Sequence, residues 1–235
     1  MFIFLKLILA HLIADFILQF EELYQLKVRH FLGQLLHALI QGLVSLVLLY
    51  PYLNLPQIWL FVTGLVLVHL VQDLIKYSIT QKNPSHTFLY FMADQLFHVL
   101  VISAIFLFPI SHVVRGFPDS ALLDMLYRTP IWTSGAIFFI ILTFAGSYVL
   151  NAFAKSYLKG RPPLYLISSS ELAYAIFERS LIAWGVLSIT EPWMVFLIPC
   201  IGIFRLPVKS LRDLTAFLFS LNYAVLITLL FQKIL

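Results

Sequence analysis

Hydrophobic residues along this chain form eight long runs that are separated by short polar stretches. The runs cover approximately residues 1–20, 31–50, 57–77, 87–110, 131–154, 171–190, 192–206 and 213–232. An α-helix needs about 20 apolar residues to cross a bilayer. The pattern therefore predicts an all-α fold, a polytopic membrane helix bundle with about seven or eight transmembrane helices. The seventh run is short, so we expect it to be tilted, re-entrant or partly interfacial.

The composition agrees with a membrane protein and excludes several other classes. Hydrophobic residues make up 61% of the 235 positions and charged residues only 11%, whereas soluble domains are roughly 45–50% apolar and about 25% charged. The single cysteine, Cys200, cannot form an internal disulfide or a thiolate metal site. The net charge is +4. In a membrane protein, basic residues mainly set the orientation in the bilayer, so no nucleic-acid partner is expected.

A polar connection over residues 111–130 separates two membrane halves, residues 1–110 and 131–235. Within the connection, the segment from Ser120 to Tyr127 is amphipathic. Such a segment is typical of a helix that lies on the membrane surface.

Lys and Arg are distributed unequally between alternate loops. The odd-numbered loops carry ten of them, and the even-numbered loops carry only Arg115 and Arg128. Cytoplasmic loops are enriched in basic residues, so both termini are predicted to be non-cytoplasmic. An inverted topology is the alternative. The first run is interpreted as a mature helix, because His11 and Asp15 interrupt it and no small-residue cleavage site follows.

Ionisable residues inside the first four runs recur at one spacing. His and Asp stand four residues apart in three of them, as His11/Asp15, His69/Asp73 and Asp94/His98. Residues four apart lie on one face of a helix. Uniform composition predicts about 0.7 such pairs in this chain. Polar groups inside a bilayer are costly unless paired, so these pairs indicate a functional site.

The predicted depth of these residues in the membrane agrees between helices. Counted from the predicted cytoplasmic ends, the three pairs and His37 of the second run lie about 6–17 Å deep, at 1.5 Å per residue. Four helices therefore place seven imidazole and carboxylate groups in one layer.

Four imidazoles and three carboxylates that converge in a helix bundle are typical of a divalent metal site. We predict that zinc, with manganese or iron as alternatives, binds there as one or two ions. Asp73 and Asp94 are also candidates for a catalytic base. In the alternative interpretation, the same residues form satisfied structural pairs without a metal. The predicted metal ligands are His11, Asp15, His37, His69, Asp73, Asp94 and His98.

Other polar residues are candidates for binding substrate. Gln19 and Gln95 either bind a polar substrate group or form hydrogen bonds between helices. The same two interpretations apply to Gln34 and Gln41. Lys76 either neutralises a phosphate or extends to the membrane interface. In the second half, Glu178, Arg179 and Arg205 form either a structural ion pair or a site for an anionic head group.

The same residues resemble the signature of a known family. His11-x-x-x-Asp15-Phe16-x-x-Gln19, the later His37, His69-x-x-x-Asp73-x-x-Lys76 and Asp94-Gln95-x-x-His98 occur in that order over residues 1–100. This pattern resembles an uncharacterised family of bacterial integral inner-membrane proteins, a domain of unknown function with some members encoded beside SatD-like proteins. Glu178-Arg179 matches a pair in longer members, and Arg205 with Lys209-Ser210 matches a later stretch approximately. The resemblance implies a multi-pass protein of the bacterial inner membrane, broadly similar to membrane-bound metal-dependent hydrolases.

Three functions are compatible with these features. The first is an intramembrane metal-dependent hydrolase whose substrate is a lipid or lipid-linked anion from the cytoplasmic leaflet. The second is a transporter for a metal ion or a proton, although the non-cytoplasmic halves of the first four helices are almost entirely apolar. The third is a membrane scaffold or sensor with a structural metal and a cytoplasmic protein partner.

Overall fold

The structure, a computed structural model, describes residues 1–157, 169–188 and 211–234, and no β-strand occurs within these ranges. This confirms the predicted all-α fold. The predicted seventh helix, residues 192–206, lies outside the described residues. The α-helices are α1 (Phe2–Leu12), α2 (Glu21–Arg29), α3 (Phe31–Leu48), α4 (Pro56–Lys82), α5 (Thr87–Ser103), α6 (Ala121–Arg128), α7 (Pro130–Ile140), α8 (Gly146–Tyr157), α9 (Ser169–Ser188) and α10 (Leu211–Ile234).

Several of these helices are long and apolar enough to cross a membrane. Four spans of this kind occur in the described ranges: Phe31–Leu48, Pro56–Lys82, Pro84–Leu107 and Pro130–Tyr157. A fifth is added if α1 and α2 together form one broken span. The fold is therefore a helical bundle suited to a membrane, and the count of seven to eight spans stays a prediction.

The predicted surface segment between the two halves forms helix α6. The Ser120 hydroxyl accepts a hydrogen bond from the Leu123 backbone N–H and so caps the first turn. Leu122, Leu123 and Met125 are exposed. An exposed apolar face on a short helix next to membrane spans is typical of an interfacial helix.

The first membrane helix differs from its predicted form. It continues from α1 as a π-helical segment, Ile13–Ile17, and then bends by 91° into α2. The segment after residue 20, expected to be a loop, is therefore helical. Glu21 and Glu22 in its first turn favour this start because they complement the positive end of the helix dipole.

Helix α2 is held close to α3 at a glycine. A Cβ atom at Gly33 would overlap the backbone of Leu26 and Lys27. Only glycine permits this approach without a shift of one helix. The contact fixes Lys27 of α2 against the centre of the bundle, where it is buried.

An apolar core fills the end of the bundle where α1 begins. Ile3 and Leu7 pack there with Leu65 of α4 and Ile102 of α5. Tyr52 closes this core, because its hydroxyl donates to the Val113 carbonyl at 2.9 Å and accepts from a backbone N–H at 2.7 Å. The His and Asp residues lie on the same helices, farther from this end.

The two membrane halves pack directly against each other. Helix α1 contacts α7, and α5 contacts α8. Lys6 of α1, which the sequence analysis overlooked, is buried at the first of these contacts. Its Nζ donates to Thr133 Oγ1 at 2.7 Å and lies 4.2 Å from the ring centre of Tyr127. The second half therefore covers one flank of the helices that carry the His and Asp residues.

Candidate metal site

The three His/Asp pairs form as their spacing predicts. His11 Nδ1 lies 3.6 Å from Asp15 Oδ1, and His69 Nε2 lies 3.5 Å from Asp73 Oδ2. In the third pair, His98 Nε2 lies 3.4 Å from an oxygen of Asp94. Each pair spans one helical turn. Asp15 stands within the π-helical segment, a distortion that is frequent at functional sites.

The four imidazole rings cluster in the centre of the bundle, and those of His69 and His98 stack. The ring centres of His69 and His98 are 4.4 Å apart, and those of His11 and His98 are 4.6 Å apart. His37 lies 5.0 Å from His69. All four rings are buried, with at most 2% of each residue exposed. The structure thus brings together the histidines of four different helices.

One carboxylate oxygen is surrounded by three of these histidines. Asp15 Oδ1 lies 3.2 Å from His37 Nε2, 3.6 Å from His11 Nδ1 and 3.8 Å from His69 Nε2. Asp15 itself is buried. Imidazole nitrogens and carboxylate oxygens are donor types that zinc binds.

The seven predicted ligands form three overlapping groups. In each group the donor atoms lie within 4.8 Å of one another. In a four-coordinate zinc site, bond lengths of about 2.0–2.2 Å place the donors roughly 3.3–3.6 Å apart, so modest side-chain movement would suffice. Their role as ligands stays a prediction. The groups are His11/His69/His98, Asp15/His37/His69 and Asp73/Asp94/His98.

The imidazole nitrogens are incompletely satisfied within the described part of the chain. Four buried nitrogens make no hydrogen bond: Nδ1 of His11 and of His37, and Nε2 of His69 and of His98. Buried polar atoms in folded proteins are normally paired. Among the four nitrogens, those of His11, His69 and His98 lie 3.4–3.6 Å from a carboxylate oxygen, which is consistent with a site that accepts a cation. The donor set therefore fits a divalent metal ion.

Two lysines occupy the other side of the cluster, Lys27 buried and Lys76 partly buried. Lys27 Nζ lies 2.9 Å from Asp73 Oδ2 and donates to Gln19 Oε1 at 2.8 Å. Lys76 Nζ lies 3.1 Å from Asp73 Oδ1 and 2.6 Å from Asp94 Oδ2. Asp73 is therefore held by two ammonium groups and Asp94 by one. Lys76 points into the cluster, so it does not extend to the interface.

Lys27 was not among the predicted site residues. Lys27 is one of the ten basic residues that were assigned to loops and to membrane orientation, and the structure corrects this assignment. Residues 21–29 form a helix that buries Leu23 and Lys27, which stand four residues apart. If residues 21–29 had been predicted as a helix, Lys27 would have been placed on the same face as the apolar Leu23, one turn away.

The predicted glutamines fall into two groups. Gln95 contacts His11 Nε2 at 3.3 Å and donates to Asp94 at 3.2 Å, so it joins the cluster directly. Gln19 accepts the hydrogen bond from Lys27 described above. Gln34 and Gln41 are buried on α3, and both amide atoms of Gln41 make no hydrogen bond within the described residues.

A cavity of about 580 Å³ leads to the cluster. Asp15, Lys76 and Gln95 line its inner end, and Thr87 and Lys155 line it near helix ends. Most of its remaining lining is apolar or aromatic. Cavities of this size and character are typical of ligand sites. Tyr148 and Asn151 of α8 also line it, which the sequence analysis did not predict, because neither residue follows a motif.

The predicted Glu178/Arg179 pair does not line this cavity. Arg179 is buried, and its guanidinium donates to the Thr143 carbonyl and to the hydroxyls of Ser147 and Ser220. These contacts tie α9 to α10 and to the second π-helical segment, Ile141–Ala145. They favour the structural interpretation of the pair. Arg205 lies outside the described residues.

Comparison with known proteins gives one match. A family model described as a protein of unknown function (DUF3307) matches residues 3–121. The matched range contains all seven predicted ligands and both lysines of the cluster. No curated protein and no solved structure matches the chain.

Proposed function

The chain belongs to the DUF3307 family of unknown function, and we propose that it is an intramembrane metal-dependent hydrolase. The observation that carries the proposal is the arrangement around Asp15, whose oxygen is surrounded by three buried imidazoles at one end of a cavity. A divalent ion, zinc first and manganese or iron as alternatives, makes water nucleophilic at neutral pH. The chain's own contribution is to hold the ligands and to exclude bulk water.

The cavity supports a lipid or lipid-linked anionic substrate. Its largely apolar lining suits a hydrocarbon segment, and its inner end carries Lys76 and Gln95 for a polar group. Asp94 is the better placed of the two predicted catalytic carboxylates. It contacts both of these cavity-lining side chains, whereas Asp73 is held between Lys27 and Lys76.

The proposal predicts bound metal and metal-dependent hydrolysis in the wild-type protein. Purified protein in lipid nanodiscs is expected to contain zinc, manganese or iron by elemental analysis. It should release phosphate from lipid phosphates, with activity lost on chelation and restored by the same metal. The matched control is Asp15→Asn, which keeps the side-chain size and removes the central carboxylate charge. A wild-type protein without metal, even after reconstitution, would contradict the proposal.

We further propose that the protein is a multi-pass protein of a bacterial inner membrane, with seven to eight spans and non-cytoplasmic termini. The excess of basic residues in alternate loops supports this orientation. It predicts opposite labelling of two exposed positions in a Cys200→Ser background. A membrane-impermeant maleimide should label Asp119→Cys but not Ser85→Cys in intact spheroplasts. The reverse pattern would refute the orientation.

Transport of a metal ion or proton is the second candidate, and one observation favours it. Gln41, whose two amide atoms make no hydrogen bond to the described residues, lies one turn from His37 on α3, and buried Ser45 follows one turn later. The apolar core around Leu65 and Ile102 closes the bundle beyond this point. Zinc uptake into proteoliposomes that is lost in Gln41→Leu would favour transport over hydrolysis.

A further inference from the structure

The three carboxylates of the cluster differ in their partners. Asp73 and Asp94 form ion pairs with Lys27 and Lys76 at 2.6–3.1 Å. Asp15 forms no ion pair with a lysine among the described residues, and its charged partners there are histidines. Since the imidazoles can be neutral, Asp15 differs from Asp73 and Asp94 in that no ammonium group of the described residues contacts its negative charge.

The presence or absence of a lysine partner distinguishes the two candidate metal-binding groups that contain carboxylates. The group Asp15/His37/His69 presents a carboxylate that no lysine of the described residues contacts. The group Asp73/Asp94/His98 already holds the Lys76 ammonium between its two carboxylates. A divalent ion there would have to displace this ammonium and would also lie close to that of Lys27. Like charges at such short distances in a membrane interior repel strongly.

We propose that the centre binds a single divalent ion, at Asp15 with His37 and His69, and that Lys76 takes the place of a second metal ion. This inference rests on the proposed function, because it assumes that the cluster binds metal. Sites with two metals use the second ion as an additional fixed positive charge on the substrate. Lys76 Nζ supplies such a charge, and the side chain lines the inner end of the cavity with Asp15.

The proposal predicts that removing the ammonium creates a second metal site. Elemental analysis and zinc titration in nanodiscs should give about one ion per chain for the wild type and about two for Lys76→Met. The gain is expected because Asp94 would lose its lysine partner and Asp73 would keep only Lys27, which leaves buried negative charge uncompensated. The matched control is Lys82→Met, at an exposed lysine of the same helix, which should bind about one ion.

A second variant keeps the proposal testable if Lys76→Met does not fold. Asp94→Asn should still bind about one ion, because Asp94 is not a ligand of the proposed single site. Two ions in the wild type, one ion in folded Lys76→Met, or loss of the ion in Asp94→Asn would each overturn the inference while metal binding by the cluster stands. A wild type without metal would instead overturn the proposed function.

Discussion

Replacing His69 by alanine is expected to abolish metal binding. The His69 ring contacts those of His37 and His98, and its Nε2 lies within 3.8 Å of both Asp15 and Asp73. Loss of a partner that merely orients a ligand costs about 10–100-fold in metal affinity. Loss of a ligand should cost more, so we expect at least a 100-fold weaker zinc affinity by titration in nanodiscs.

A matched control for this variant is His112→Ala. His112 is exposed and lies in the connection between the membrane halves, so its removal should leave zinc affinity unchanged. Thermal unfolding gives an independent measurement, because a ligand at 100 times its Kd stabilises a folded protein by about 2.7 kcal/mol. Zinc should raise the Tm of the wild type and of His112→Ala, but not that of His69→Ala. Equal zinc affinity in all three proteins would show that His69 is not a ligand.

Replacing Lys27 by methionine is expected to destabilise the protein strongly. Lys27 is 1% exposed and pairs with Asp73, which is fully buried. Removing one partner of a buried ion pair typically costs about 3–5 kcal/mol, because the remaining charge loses its compensation. Lys76 also contacts Asp73, so the lower end of this range is expected. Thermal and denaturant unfolding in detergent measure the loss.

Two further proteins test the cause of this effect. Lys82→Met removes an exposed lysine and should change the unfolding free energy by less than about 0.5 kcal/mol. The double variant Lys27→Met/Asp73→Asn should be destabilised by less than the sum of the two single changes, since it removes both charges. Additive losses would mean that Lys27 stabilises the protein through packing of its side chain and not through this ion pair.

The cluster could be predicted from the sequence because the membrane restricts the backbone. A chain that crosses a bilayer must satisfy its backbone hydrogen bonds within each helix, so the spacing of His69 and Asp73 fixes their common face. Helices that cross one membrane end at the same two surfaces. Residues at similar distances from their helix ends therefore lie at a similar depth. These two constraints account for the convergence of all seven predicted residues.

The remaining features depend on contacts that the sequence does not reveal locally. The π-helical segment at Asp15 is a change of hydrogen-bond register, and composition does not mark it. Lys27 was missed because α2 is polar and lies after a sharp bend. Lys6 meets Thr133 across 127 positions of the chain, and no local pattern links the two. For Arg179 a structural ion pair and a head-group site were both left open, and its partners on α10 and in the second π-helical segment could not be inferred from its neighbours in sequence.

The contact between the two membrane halves has a consequence for the order in which the protein is synthesised. Every residue of the cluster precedes residue 99, whereas α7 and α8, which cover one flank of α1 and α5, begin only at Pro130. In the membrane protein that we propose, that flank therefore faces lipid until α7 and α8 have been synthesised. The ion pairs of Lys27 and Lys76 link residues that have all been synthesised by then. The nascent first half can thus neutralise most of its intramembrane charge before the second half arrives.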